Sequence, residues 1–237
     1  MPEELDSLLS SIRATFDADF EPLQIDGDTL QILTIRNMPA HLDSLLRRGL
    51  VHDPLRDLPV WARVWPASFV LGRLLRKYEP EGKSLLELGA GTGLLSMVAA
   101  RYGFSRIVLS DGNEDALRFA RANVLRNRLS HMVETCRMDI TRPAGVPCLE
   151  DGFDIIAASE VLYLDELHRP LLKIVQRYLK TEGKAMFCTD MARAKPRFAK
   201  LAARSFRVTE GHVGVKSTDA EEGEQRRIYG ILILEKA

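Results

Sequence analysis

Leu5, Leu8, Leu9, Ile12 and Phe16 recur at helical spacing, and the pattern predicts an amphipathic helix over residues 3–16. Apolar residues at 23–25 and 29–35 flank Asp26-Gly27-Asp28, a turn composition that predicts a hairpin. A short helix follows over 41–48, where Leu42, Leu45 and Leu46 share a face. Val70, Leu71, Leu74, Leu75 and Tyr78 predict another helix, with Pro66 placed in its first turn. From there apolar runs at 84–88, 106–110, 132–136, 153–158 and 184–189 alternate with helical segments near 94–102, 113–127 and 168–180. Such alternation requires a parallel sheet covered on both faces. Two last runs, 205–210 and 227–235, are joined by a polar stretch instead of a helix, so they pair as an antiparallel hairpin. The expected division is an N-terminal helix and hairpin elaboration over 1–60 and an α/β domain over 61–237.

The first strand of that domain feeds Glu87-Leu88-Gly89-Ala90-Gly91-Thr92-Gly93 and then a helix. Glycines at alternate positions let the backbone turn tightly and approach a ligand without a β-carbon between. A triphosphate loop needs Lys and Ser or Thr after its last glycine, whereas Leu94 and Leu95 stand there. The dinucleotide fingerprint needs a third glycine where Leu94 lies. Asp111 closes the second strand about 20 residues on, where a carboxylate takes two ribose hydroxyls. The chemistry is that of a nucleoside carried without a pyrophosphate.

Glu87 to Gly93, followed by Ser110-Asp111-Gly112-Asn113, resembles motif I and the second-strand acidic motif of seven-stranded S-adenosylmethionine (SAM) methyltransferases. The resemblance implies a Rossmann-like doubly wound mixed α/β sheet of seven strands, order 3-2-1-4-5-7-6, with the last strand antiparallel. It also implies SAM as cofactor, with Glu87, Gly89, Ala90, Gly91, Gly93, Asp111, Gly112 and Asn113 around its methionine and ribose. Ligands in such sheets collect at the carboxyl ends of the strands, where the winding reverses. Asp139 after the third strand can accept the adenine amino group while Met138 or Ile140 covers its apolar face, a role the resemblance also implies; the alternative for Asp139 is a turn leading to Pro143. For Asp111 the alternative is an N-cap of the following helix.

Ser159-Glu160-Val161-Leu162-Tyr163 follows the fourth strand, where the acceptor must line up behind the methyl. A carboxylate at 160 holds an ammonium and the Tyr163 ring packs on its stem, an arrangement suited to lysine. Only a neutral amine attacks a sulfonium, and free lysine titrates near 10.4. Glu160 alone raises that value, so its expected role is binding and orientation, with proton loss to water. The alternative is that Glu160 and Tyr163 only shape the loop. Trp65-Pro66-Ala67-Ser68 together with 159–163 resembles the protein-lysine methyltransferases that act on calmodulin, valosin-containing protein and electron-transfer flavoprotein. That likeness places Ser159 and Trp65 at the cofactor or lysine channel; a packing role is the other reading of Trp65, and the expected one for Trp61. The Asn/Asp-Pro-Pro-Tyr/Phe signature of nucleic-acid amino-methyltransferases is absent at 159–163, which argues against a nucleic-acid acceptor. A protein lysine is the leading acceptor, a small amine or related metabolite the alternative, and a non-catalytic SAM-pocket module the third.

Composition narrows partners further. The 237 residues carry 33 charges of each sign, so no global field draws the chain to nucleic acid or an anionic membrane. Cys136, Cys148 and Cys188 are few, odd in number and unlike zinc-ligand spacing, which points to a reducing compartment, here the cytoplasm. The acidic N-terminus lacks the pattern of a signal peptide, and no apolar run approaches the ~20 residues of a membrane span. The five histidines show no metal spacing, so no metal is expected. Arg193, Lys195, Arg197, Lys200, Arg204 and Arg207 form a basic stretch, read as a solvated helix face or a partner contact.

Overall fold

The computed structural model describes residues 2–52, 57–142, 149–194, 196–219 and 223–237. Helix α1 (Pro2–Arg13), strands β1 (Ala18–Ile25) and β2 (Asp28–Ile35), and helix α2 (Met38–Arg47) come first. Then follow α3 (Pro66–Leu75), β3 (Ser84–Leu88), α4 (Leu94–Ala99), β4 (Arg106–Asp111), α5 (Glu114–Arg126) and β5 (Val133–Arg137). The chain ends with β6 (Phe153–Ser159), α6 (Asp165–Tyr178), β7 (Leu179–Asp190), α7 (Arg197–Ala202), β8 (Phe206–Asp219) and β9 (Gly223–Lys236). Seven strands form one sheet in the order β5-β4-β3-β6-β7-β9-β8, which is the expected 3-2-1-4-5-7-6. The β3, β4, β5, β6 and β7 pairings are parallel, and β9 runs antiparallel to both neighbours.

Period-2 alternation explains how the sheet is covered. Leu85, Ile107, Leu109, Ile155, Ala157 and Met186 point to one face and pack with α3, α4 and α5. Their neighbours Leu86, Leu88, Val108, Ile156, Ala158 and Phe187 point to the other and pack with α6 and α7. All five residues of β3 and all six of α4 are buried, so the strand and helix on either side of the glycine turn form the centre of the molecule. A β-carbon on Gly72 of α3 would lie 3.0 Å from Val98 Cγ1, so glycine lets α3 settle closely on α4.

The N-terminal elements pack against α5. Asp26 and Gly27 both have positive φ, as the two central residues of a type I′ hairpin turn require. Ile12, Phe16, Leu33 and Ile35 share a core with Phe119 and Ala122 of α5. Trp61 stands edge-on to Phe119 at 5.0 Å and to Phe16 at 5.9 Å, the packing expected of it.

Several boundaries depart from the sequence reading: α1 ends at Arg13 where the pattern runs on to Phe16, and β1 starts at Ala18, five residues before Leu23. Helix α6 starts at Asp165, ahead of Pro170, because Asp165 and Glu166 favour the helix N-terminus. Strand β7 starts at Leu179, five residues before its apolar run, across a register shift opposite Phe153 and Ile155. Strands β8 and β9 extend through most of the polar stretch once assigned to their connection, since a two-stranded ladder needs backbone pairing and not apolar side chains. Cys136 is disulfide-bonded, and Cys188 is free and buried. Cys148, Pro143 and Lys195 lie outside the described residues. No described helix is long and apolar enough to cross a membrane.

Candidate active site

Gly89, Gly91 and Gly93 all adopt left-handed φ, at 65°, 54° and 76°. Their missing β-carbons face protein. One on Gly89 would come 2.9 Å from Val161 Cγ1, one on Gly91 2.7 Å from the Trp61 carbonyl oxygen, and one on Gly93 3.1 Å from Leu109 Cδ2. The turn is thus a junction where the loop after β6, the segment before α3 and strand β4 meet. Ala90 N donates to the Ser110 carbonyl at 3.0 Å, and Asn123 Nδ2 donates to the Thr92 carbonyl at 2.9 Å.

Asp111, at the end of β4, accepts from Gly91 N and from Asn113 N, both at 2.9 Å. The Gly112 N–H is directed at this carboxylate as well, and three backbone donors on two oxygens leave acceptor capacity for a ribose hydroxyl. Burial raises its pKa, offset in part by the N–H groups of Asn113, Gly91 and Gly112. The N-cap of α5 is Asn113, whose Oδ1 accepts from Asp115 N and Ala116 N, so Asp111 has no capping duty. Gly112 faces the Met138 carbonyl and Asp139 Cα, which brings the loops after β4 and β5 to one rim. Asp139 is exposed and its Oδ1 accepts from Thr141 N and Oγ1, while Ile140 is half-buried beside it. Glu87 Oε2 accepts from Ser96 N at 2.9 Å and from Ser96 Oγ, which caps α4. Burial raises its pKa to about 7, the Ser96 bonds lower it, and Asp111 adds a further upward push.

Across the glycine turn, Ser159 Oγ lies 2.8 Å from Ser68 Oγ of α3, tying β6 to the Trp65-Pro66 segment. Pro66 occupies the first turn of α3 with Trp65 as its N-cap residue. Trp65 is half-buried, donates Nε1–H to the Val60 carbonyl at 3.1 Å, and has the guanidinium carbons of Arg193 and Arg63 at 5.0 and 5.2 Å from its ring centroid. Two guanidinium groups thus lie against its ring. Glu160 has φ 55° and is buried. Its carboxylate accepts from Thr189 Oγ1 at 3.1 Å, Asp190 N at 3.1 Å, and Arg193 Nε and Nη2 at 3.3 and 2.9 Å. Tyr163 is half-buried in the loop between Glu160 and α6.

Thr189, Asp190, Arg193 and Tyr229 belong to this cluster and the sequence reading missed them. Thr189 and Asp190 were findable, because they close the fifth parallel strand and obey the same carboxyl-end rule as Glu160. Tyr229 pairs with Asp190 across β7 and β9, and burial with the nearby Asp190 raises its phenol pKa. Arg193, expected on a solvated face, is folded onto Glu160 instead. Burial and the Glu160 charge raise the Cys188 pKa, so that thiol stays protonated. A hollow lined by Ser105, Arg106, Met132 and Val133 lies at the amino ends of β4 and β5, the opposite end of the sheet from these groups.

A family model described as lysine methyltransferase matches residues 55–203. The protein N-lysine methyltransferase METTL21A of Danio rerio is 31% identical over 169 residues, 66% of this chain and 73% of its own. The calmodulin-lysine N-methyltransferase of Arabidopsis thaliana is 31% identical over 125 residues, 50% of this chain and 40% of its own. Among solved structures, the T. thermophilus 16S rRNA N2 G1207 methyltransferase RsmC, in complex with AdoMet and guanosine, matches with TM-score 0.64 at 18% identity, over 93% of this chain and 51% of that one. That last likeness is one of fold.

Proposed function

The chain belongs to the lysine methyltransferase family, and on that premise we propose that its glycine turn, Asp111 and the Glu160 loop form one catalytic centre, in which SAM lies across the carboxyl ends of β3, β4 and β5 and a protein's lysine enters beside β6. The contact between Gly89 and Val161 carries this reading. It joins the turn assigned to the methyl donor directly to the residue next to Glu160, so donor and acceptor loops share a wall.

When bound, SAM supplies a methyl group on a positively charged sulfur. Asp111 holds the ribose through the acceptor capacity its carboxylate keeps beside the Gly91, Gly112 and Asn113 N–H groups. Gly112 keeps the rim open toward Asp139 and Ile140, which flank the base. Glu87 acts through the fold of the turn, by capping α4. On the acceptor side Glu160 and Trp65 orient the amine, and Tyr163 borders its alkyl stem. The amine must shed its proton before attack, and with no base required that proton passes to water.

The test separates the two halves of the site. Loss of a hydrogen bond to a charged carboxylate, about 1.5–3 kcal/mol, predicts that Asp111→Ala raises the SAM Kd by about tenfold or more in calorimetry. Glu160→Gln is expected to leave that Kd within about threefold while cutting transfer of labelled methyl to lysate proteins by at least about tenfold. Equal loss of SAM affinity in both variants contradicts the division of roles. Label confined to the small-molecule fraction moves the acceptor from a protein to a free amine.

A further inference from the structure

A carboxylate beside an aromatic face recognises an organic cation, and here that pair already holds one. Arg193 donates Nε and Nη2 to Glu160 and lies 5.0 Å from the Trp65 ring centroid. With Thr189 Oγ1 and Asp190 N donating as well, the lone-pair directions of the carboxylate are taken. A substrate ammonium has no place on Glu160 until the guanidinium leaves. The pairing is built to exchange: the Arg193 side chain is 37% exposed against 7% for Glu160, and Asp190 Oδ2, 3.7 Å from Nη2, offers a second carboxylate to retain the arginine once displaced.

Resting on the reading of Glu160 and Trp65 as the acceptor pocket, we propose that Arg193 is an internal stand-in for the substrate's cation, displaced only by a lysine that a docked protein holds close. A tethered side chain competes at an effective concentration on the order of millimolar or more, so free amines in solution are excluded. Arg193 thereby makes the site selective for a protein-borne lysine over a metabolite amine.

Arg193→Lys gives the sharpest test, because it keeps the cation and replaces a poor acceptor with a primary amine at the same point. Incubated with SAM, Nζ at position 193 bonds to the methyl carbon, the carbon–sulfur pair stays on sulfur, and a proton goes to water. Peptide mass spectrometry is expected to find methyl on residue 193, formed at a rate independent of protein concentration. The second arm needs no SAM: Arg193→Gln, titrated calorimetrically with Nα-acetyl-lysinamide, is expected to bind at least about tenfold more tightly than the wild type, and adding Glu160→Gln abolishes the gain.

An unmodified residue 193 overturns the gate, as does loss of SAM binding in Arg193→Lys, since Arg193 has no part in holding SAM. No gain in binding by folded Arg193→Gln also overturns it; if that variant does not fold, Arg193→Lys decides alone. Wild-type labelling of a lysate runs alongside. Labelled protein lysine with a bare residue 193 defeats only the gate, whereas neither being labelled defeats the acceptor-pocket reading beneath it.

Discussion

Glu87 lies one pleat beyond Leu85 on the face of β3 that packs against α4, where burial sets its protonation and Ser96 sets its geometry. Its pKa of about 7 exceeds the ordinary 4.5, so between those values the folded protein holds a proton that the unfolded chain has released. Stability from this group is therefore full below pH 4.5 and declines as pH rises toward 7, by at most about 3 kcal/mol. Asp111, also raised by burial, acts with the same sign. Glu87→Gln keeps an acceptor for Ser96 and removes the titration. Urea unfolding is expected to show the variant gaining on the wild type by about 2–3 kcal/mol between pH 5 and pH 8; a constant difference rejects the assignment. At this scale, legibility followed locality. The glycines and Asp111 stood out because backbone conformation and strand-end position are written within a few residues. Arg193 did not, because a basic side chain reads the same whether solvated or folded onto a carboxylate 33 residues away.

Helix α5 couples the N-terminal hairpin to the glycine turn through two asparagines one helical turn apart. Asn123, fully buried, accepts from Leu33 N at 2.6 Å and donates to the Thr92 carbonyl at 2.9 Å. Asn127 accepts from Gln31 N and donates back to its carbonyl, so together they satisfy the edge of β2 that no strand covers. Asn123→Leu preserves volume, removes both bonds and leaves two buried backbone groups without partners. The expected cost is about 2–4 kcal/mol, or roughly 5–15 °C in Tm, with weaker SAM binding because Thr92 loses its anchor. Scanning calorimetry with and without SAM checks both, and an unchanged ratio of bound to free Tm shift separates the hairpin from the turn. The elements themselves were readable from periodicity, since each helix and core strand carries its own apolar stripe. Their coupling was not, because an asparagine inside a helical pattern gives no sign of the strand it caps.

The whole molecule places its chemistry at one rim because five parallel strands end there and the winding reverses between β3 and β6. That much follows from strand order, which the resemblance to seven-stranded methyltransferases implies; the alternation of elements by itself predicts only a parallel sheet covered on both faces. What periodicity does not predict is the reach of the last hairpin beyond the sheet. Strand β9 pairs with β7 only over residues 229–234, ending opposite Asp190, while the β8–β9 ladder continues to Asp219 and Gly223. Val213 and Val215 still pack on the core, so the structural duty of the ribbon stops near residue 215. Beyond it the ladder leaves the sheet on the side where the parallel strands end, the side of Glu160 and Trp65. Replacing residues 216–226 by Asn-Gly joins Val215 to Arg227 through a two-residue turn and retains both core valines. Stability is expected to change by less than about 1 kcal/mol, within about 4 °C in Tm, and the SAM Kd by less than about twofold. A collapse in Tm means that the projecting ladder braces the sheet, and a loss of SAM affinity alone means that it folds over the cofactor rim.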